Sequence, residues 1–154
     1  MRRRTEESRQ ATAVLIAQEC LAVRLRRLTR AVTNIYNQAL RSHGLTISQM
    51  NILVAAAYLG PVKQQDICQA LHLEKSTLSR DLVRMRAHGW VTAAPGEDGR
   101  ATMLSVTAAG KKLLNHAFPA WRQAQEEAQA LLGEEAVAAL GRLANPVRAP
   151  GMLQ

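Results

Sequence analysis

The chain has 154 residues, 47% of them hydrophobic, and twenty Lys and Arg against twelve Asp and Glu, for a formal net charge of +8. That length supports one core, or one small domain with a helical extension, and leaves two independent domains cramped. The positive balance points to nucleic acid or another anionic surface as partner, no apolar run approaches the roughly 20 residues of a membrane span, and MRRRTEESRQ leads into no signal-peptide core, so a cytoplasmic chain with no membrane contact is expected.

The first ten residues read as a flexible basic tail. From Val14 to Leu40 the apolar residues Val14, Leu21, Leu25, Leu28, Val32, Ile35 and Ala39 step by seven, four, three, four, three and four. That spacing is one stripe of a long amphipathic helix, which needs something to pack against along its whole length. Gly44 ends it. Thr46 or Ser48 caps a second helix through Tyr58, stopped at Gly60-Pro61. Gln64 to Leu71 forms a short helix and His72-Leu73 a break. A fourth helix follows from about Lys75 to His88, burying Leu78, Leu82 and Met85, and Gly89 supplies the left-handed residue that closes it.

Beyond Gly89 the period changes from helical to extended. Trp90 to Ala93 and Thr102 to Val106 flank the turn PGEDGR, residues 95–100, and read as an antiparallel hairpin. Thr107 caps a further long helix through Leu132, in which Pro119 cannot donate to Asn115 and should bend the rod. Gly133 breaks that helix, and Glu134 to Ala144 forms a last one with acids in its first turn, where the dipole favours them. The tail NPVRAPGMLQ carries two prolines and reads as loosely held.

Helix, short helix, break, helix and hairpin, in that order, make a winged helix-turn-helix. The segment LHLEKSTLSRDLVRMRAHGWVTAAPGEDGRATMLSVTAAGKKLL resembles the DNA-binding core of the MarR family of bacterial transcription regulators. Ser76-Thr77-Leu78-Ser79-Arg80 matches the recognition helix and Gly89-Trp90-Val91 the chain leaving it. Asp98-Gly99-Arg100 matches the wing, and Val106-Thr107-Ala108-Ala109-Gly110 the start of the next helix. Gly44-Leu45-Thr46-Ile47-Ser48-Gln49 fits the start of the family's second helix, so the resemblance spans about Leu21 to Ala144. It implies a mainly α fold with a small β-hairpin wing, in which a winged helix-turn-helix core at 44–119 is joined to a helical dimerisation stalk built from both chain ends, 11–43 and 120–145. Residues 1–10 and 146–154 are then flexible tails. The implied function is a homodimeric, sequence-specific DNA-binding regulator, a repressor, released from a palindromic double-stranded operator by a small aromatic or anionic effector. A cysteine-based redox-sensing regulator of the same fold and a protein-binding winged-helix module are the alternatives.

Physical chemistry supports the carried-over roles. On the fourth helix Lys75, Ser76, Thr77, Ser79, Arg80 and Arg84 lie away from Leu78, Leu82 and Met85, so small donors and long cations share the outward side. A major groove about 12 Å wide admits such a helix. A solvated cationic face is the plain alternative; the adjoining short helix and wing favour DNA. Glu74 departs from the small cap residue the family usually has at the start of this helix, which bears on base preference. In the wing, Asp98 can hold the Arg100 guanidinium in a planar fork before DNA arrives, lowering the ordering cost of inserting it into a narrow minor groove.

Regulation is thinner in the sequence. The stripe on the first helix, Ala120, Ala124, Ala128, Leu131 and Leu132 after Pro119, and Val137, Leu140 and Leu143 in the last helix offer more apolar surface than one small chain covers, so a second copy is expected on them. Arg24, Arg26, Arg27 and Arg30 can hold an anionic effector, or form a solvated face paired with Glu126 and Glu127; no effector pocket is assigned. Cys20 is the redox candidate, though its spacing to Gly44-Leu45-Thr46 falls short of the peroxide-sensing pattern, and Cys68 reads as packing. The four histidines show no metal-ligand spacing, and no phosphate loop, HExxH or Gly-x-Ser-x-Gly motif marks an enzyme. Neither cofactor nor metal is expected.

Overall fold

The computed structural model describes the backbone of residues 2–96 and 101–144, and side chains from Ala11 onward. Its elements run α1 (Arg2–Glu19), α2 (Leu21–Leu40), a 3-10 turn (Arg41–His43), α3 (Ile47–Leu59), β1 (Val62–Lys63), α4 (Gln64–Leu71), α5 (Lys75–Ala87), β2 (Val91–Pro95), β3 (Thr102–Val106), α6 (Ala108–Leu132) and α7 (Glu134–Leu143). Contacts divide the chain into two compact units, one ending at Asn34 and one beginning at Ile35.

In the first unit, the single long helix expected from Val14 is two helices, interrupted at Cys20. Hydrogen bonds from Cys20 N to the Ile16 carbonyl (2.9 Å) and from Arg24 N to the Cys20 carbonyl (3.2 Å) carry the ladder across the interruption. The Arg24 guanidinium donates to the Gln18 carbonyl just before it. A one-residue fault of this kind leaves the apolar spacing intact, so periodicity cannot reveal it. α1 begins at Arg2, inside the segment expected to be a tail.

The second unit is built around a core in which Leu40, Ile52, Leu53, Ile67, Leu78, Met85 and Leu104 are the largest fully buried side chains. Gly44 closes the 3-10 turn in the left-handed region at φ 68°. Thr46 then starts α3 with a full capping box: its hydroxyl accepts from Gln49 N while the Gln49 side chain accepts from Thr46 N. Asn37 adds a bond from Ile47 N to its Oδ1 at 2.8 Å, tying the end of α2 to the start of α3. These caps satisfy orphan amides that a buried helix start cannot leave bare.

The sheet is antiparallel, in the order β1-β3-β2, with Val62 opposite Leu104 and Val91 opposite Val106. Two differences from the expected hairpin have physical causes. β1 is only two residues long, too short to show any alternation. The first hairpin strand begins at Val91, not Trp90, because Trp90 spends its backbone elsewhere: its N–H bonds the Met85 carbonyl (2.9 Å) and its carbonyl accepts from Thr107 N (3.0 Å). Pro95 is tolerated because β2 is an edge strand.

Thr107 caps α6, accepting from Gly110 N at 3.0 Å, and its own hydroxyl donates to the Gly89 carbonyl at 2.6 Å. α6 runs as one helix through Pro119. α7 packs back on α6. The apolar row after Pro119 is partly used inside the single chain: Ala124 and Ala128 are buried, whereas Leu131 is 54% exposed, and on α7 Leu143 is 84% exposed. Ala124 and Ala128 thus need no partner to cover them.

Candidate nucleic-acid interface

α4 and α5 form the helix-turn-helix. His72 closes α4 in the left-handed region at φ 50°, the one described non-glycine residue with positive φ, and its N–H reaches back to the Cys68 and Gln69 carbonyls. A single residue thus reverses the chain between the two helices. α5 begins after Glu74, whose side chain makes no capping bond; its carbonyl accepts from Thr77 N (3.0 Å) and Leu78 N (3.1 Å) instead. Arg84 and Arg86 occupy its last turn, where the helix dipole favours cations.

The core anchors α5 through Leu78, Leu82 and Met85, all buried. A polar anchor, invisible in the sequence, sits beside them. Ser48 Oγ donates to Asp81 Oδ2 at 2.7 Å, and Gln49 Nε2 donates to Asp81 Oδ1 at 3.5 Å. Gln49 is 5% exposed and its Oε1 already serves the α3 capping box, so its amide has no water to turn to. The start of α3 and the middle of α5 are therefore fixed to each other in rotation as well as in distance.

With two anchors holding the inner side, Lys75, Ser76, Ser79, Arg80 and Arg84 are all exposed and Thr77 is half-buried. The structure thus brings the predicted recognition-helix residues onto the outer side of one helix, with Thr77 the most withdrawn. The wing residues Asp98 and Arg100, with Glu97 and Gly99, lie outside the described residues. Their approach is held: Gly96 N donates to the Ala101 carbonyl at 2.7 Å, and the strands on either side are paired from Val91–Val106 to Pro95–Thr102.

Lys63 joins this surface without any mark in the sequence. It lies on β1, exposed, and lines a cleft of about 480 Å³ with Gln64, Gln65, Cys68, Lys75, Ala101 and Thr102. Two cations thus flank the same opening between α4, the start of α5 and the base of the wing. A lysine before a helix has no distinguishing signal in sequence; only the pairing of β1 with β3 puts it here. At the far end of α5, His88 stacks on Trp90 with centroids 4.4 Å apart. Cys20 and Cys68 are both free and half-buried, and Cys68 packs against the core. Among the described residues no group of three or more His, Cys, Asp or Glu could hold a metal ion, and no helix is long and apolar enough to cross a membrane.

Residues 43–101, from the end of the 3-10 turn to the base of the wing, match the model of the MarR family. The uncharacterised HTH-type transcriptional regulator YwoH of Bacillus subtilis is 31% identical over 83 residues, 54% of this chain and 61% of that protein. An uncharacterised HTH-type regulator of Bacillus cereus is 25% identical over 63% of this chain and 65% of its own length. The chain therefore spans less than two thirds of the curated relatives it matches. Among solved structures, the M. tuberculosis transcriptional regulator MosR in complex with DNA is 32% identical, with a TM-score of 0.69 over 82% of this chain and 96% of that one. This similarity runs well beyond the segment matched by the family model. The chain belongs to the MarR family of winged helix-turn-helix transcriptional regulators.

Proposed function

We propose that this protein is a homodimeric, sequence-specific DNA-binding regulator of transcription, a repressor acting in the cytoplasm, released from a palindromic operator by a small aromatic or anionic effector. The observation that carries the reading is the outer side of α5. Lys75, Ser76, Ser79, Arg80 and Arg84 are exposed on a helix whose inner side is fixed by Leu78, Leu82, Met85 and the Asp81–Ser48 bond. Placed in a major groove, Arg80 meets guanine O6 and N7 with its planar fork, the serines offer short donors or acceptors to base edges, and Lys75 and Arg84 meet phosphates. Lys63 adds a cation beside Lys75 for the backbone flanking the groove. The role assigned to Arg100, insertion into the adjacent minor groove with Asp98 as its orienting carboxylate, rests on the Asp98-Gly99-Arg100 motif of the sequence. The net charge of +8 speeds encounter. MosR, crystallised with DNA, supports the same mode here.

Self-association is supported by apolar residues left in water on the first unit, Leu21 at 70%, Leu25 at 59% and Leu28 at 37%, and on the second, Leu131, Leu140 and Leu143. A two-fold dimer presents two copies of α5 to half-sites about 34–36 Å apart, which is why the operator is expected to be palindromic. An effector is supported by a relative of the same fold, Bordetella bronchiseptica BpsR, whose DNA binding is regulated by 6-hydroxynicotinic acid (21% identity, TM-score 0.72, covering 81% of this chain and 90% of that one).

The test is a salt titration on a palindromic duplex chosen from a random pool, with sedimentation of the same sample. A dimer, and an affinity that falls steeply and linearly on a log–log salt plot, are expected. A monomer indifferent to duplexes at low ionic strength would end the reading.

A further inference from the structure

Val83 does not fit the character of the surface it occupies. It lies three residues after Arg80, four after Ser79 and seven after Ser76, so it shares their side of α5, away from the buried Leu78, Leu82 and Met85. It is 70% exposed, and the exposed Ala87 follows it one turn on. A β-branched residue brings nothing to a solvent-facing helix position: it propagates a helix less well than Ala, Lys or Arg, and it leaves its methyl groups in water. A single exposed apolar side chain is ordinary on most surfaces. This one stands among Ser76, Ser79 and Arg80 on a helix held in fixed rotation by the Asp81–Ser48 bond, so its direction relative to Ser79 and Arg80 is set in advance.

Taking as its basis the reading that α5 enters the major groove, we propose that Val83 is a specificity-determining residue that recognises a thymine through its C5-methyl group. The chemistry of the groove leaves few other roles for it. Every base edge offers donors or acceptors, which Val83 cannot use, and thymine alone adds an apolar group. Against that methyl the valine loses exposed apolar surface on both partners. Against cytosine it meets a bare ring edge and crowds the N4 amino group, which then loses water without gaining a hydrogen bond. Arg80 and Ser79 read polar edges, and Val83 reads the neighbouring methyl, so discrimination is spread over adjacent base pairs.

The test uses the full chain and a duplex recovered from a random pool by the wild-type protein. Each thymine is replaced in turn by deoxyuridine, which removes the methyl and keeps the O4 acceptor, and affinities are measured for wild type and Val83→Ala. The variant should melt like the wild type, since the side chain touches no core. At one thymine position the replacement should weaken wild-type binding about fourfold, the worth of one buried methyl-sized group, and Val83→Ala should bind thymine and deoxyuridine there equally. If wild type binds its selected duplex tightly but no thymine is methyl-sensitive, or if Val83→Ala keeps the wild-type ratio, the assignment of Val83 is wrong while the groove reading stands. If no duplex is recovered or bound at low salt, the DNA-binding reading itself falls.

Discussion

Replacing Asp81 by alanine separates geometry from charge at the proposed interface. The carboxylate accepts from Ser48 Oγ at 2.7 Å and from Gln49 Nε2 at 3.5 Å. A hydrogen bond to a charged group contributes about 1.5–3 kcal/mol. The Ser48 bond has full-strength length, the Gln49 bond is near the limit, and partial exposure of Asp81 screens both. Removing the carboxylate also leaves the buried Gln49 amide without its acceptor. A loss of about 2 kcal/mol follows, or about 4–8 °C in Tm for a chain of this size. Ser48→Ala should cost about 1 kcal/mol, and the two changes together less than their sum, with a coupling of about 1 kcal/mol in a double-mutant cycle read by urea denaturation. The DNA readout has opposite signs under the two accounts. Deleting an acid from the recognition helix raises the net charge by one, which by itself tightens binding to phosphates. If Asp81 instead fixes the rotation of α5, affinity for the selected duplex falls despite that gain. A coupling of zero, or tighter specific binding by Asp81→Ala, would refute the anchoring role.

Lys75→Ala should weaken binding to all sequences alike and reduce the salt slope by about 1 per protomer, whereas Arg80→Ala should cost about 1–3 kcal/mol and relax preference at one base pair; equal, sequence-blind losses in competition binding contradict that division. Gly110→Ala places a Cβ 2.2 Å from the Trp90 carbonyl and 2.8 Å from Val106 Cγ1, a backbone obstruction that cannot swing aside, and should cost about 3 kcal/mol in a melt. Gly89→Ala meets nothing within 4 Å but must hold φ +69°, so about 1 kcal/mol is expected. Burial raises the Tyr36 phenol above its ordinary 10.0, and its hydroxyl donates to Gln125 Oε1. The sign follows: the protonated phenol is favoured in the fold, so this contribution is fully present below pH 10 and is lost as pH rises through the higher folded value. Absorbance at 295 nm, taken as the difference from Tyr36→Phe, should show tyrosinate appearing above pH 10, and an ordinary or lower midpoint would contradict burial.

Elements with a repeating signal were legible in the sequence. Leu78, Leu82 and Met85 gave the inner side of α5, and Gln64 to Leu71 gave α4 to the residue. Gly89 marked a left-handed position because other side chains pay about 1–2 kcal/mol there. What escaped was whatever depends on tertiary partners. Asp81 and Ser48 are 33 residues apart, and nothing local distinguishes Asp81 from a solvated acid. β1 has no period, and Trp90 leaves the hairpin only because α5 and α6 claim its backbone groups. Ala124 and Ala128 looked like a partner's contact surface because an amphipathic row does not say which helix covers it. At the proposed interface, the exposure of Lys75, Arg80 and Arg84 follows from the period of α5, while Lys63 needed the sheet to bring it beside Lys75.

In the proposed mode of binding, the outer side of α5 occupies a major groove with Arg80 against a guanine. Methylation interference on the selected duplex tests it most directly, because dimethyl sulfate modifies guanine N7 in the major groove and adenine N3 in the minor groove. Wild type should be blocked by N7 methylation at one guanine in each half-site, and Arg80→Ala should lose that block while keeping residual binding. Tight wild-type binding that ignores N7 methylation, or interference confined to adenine N3, would contradict it.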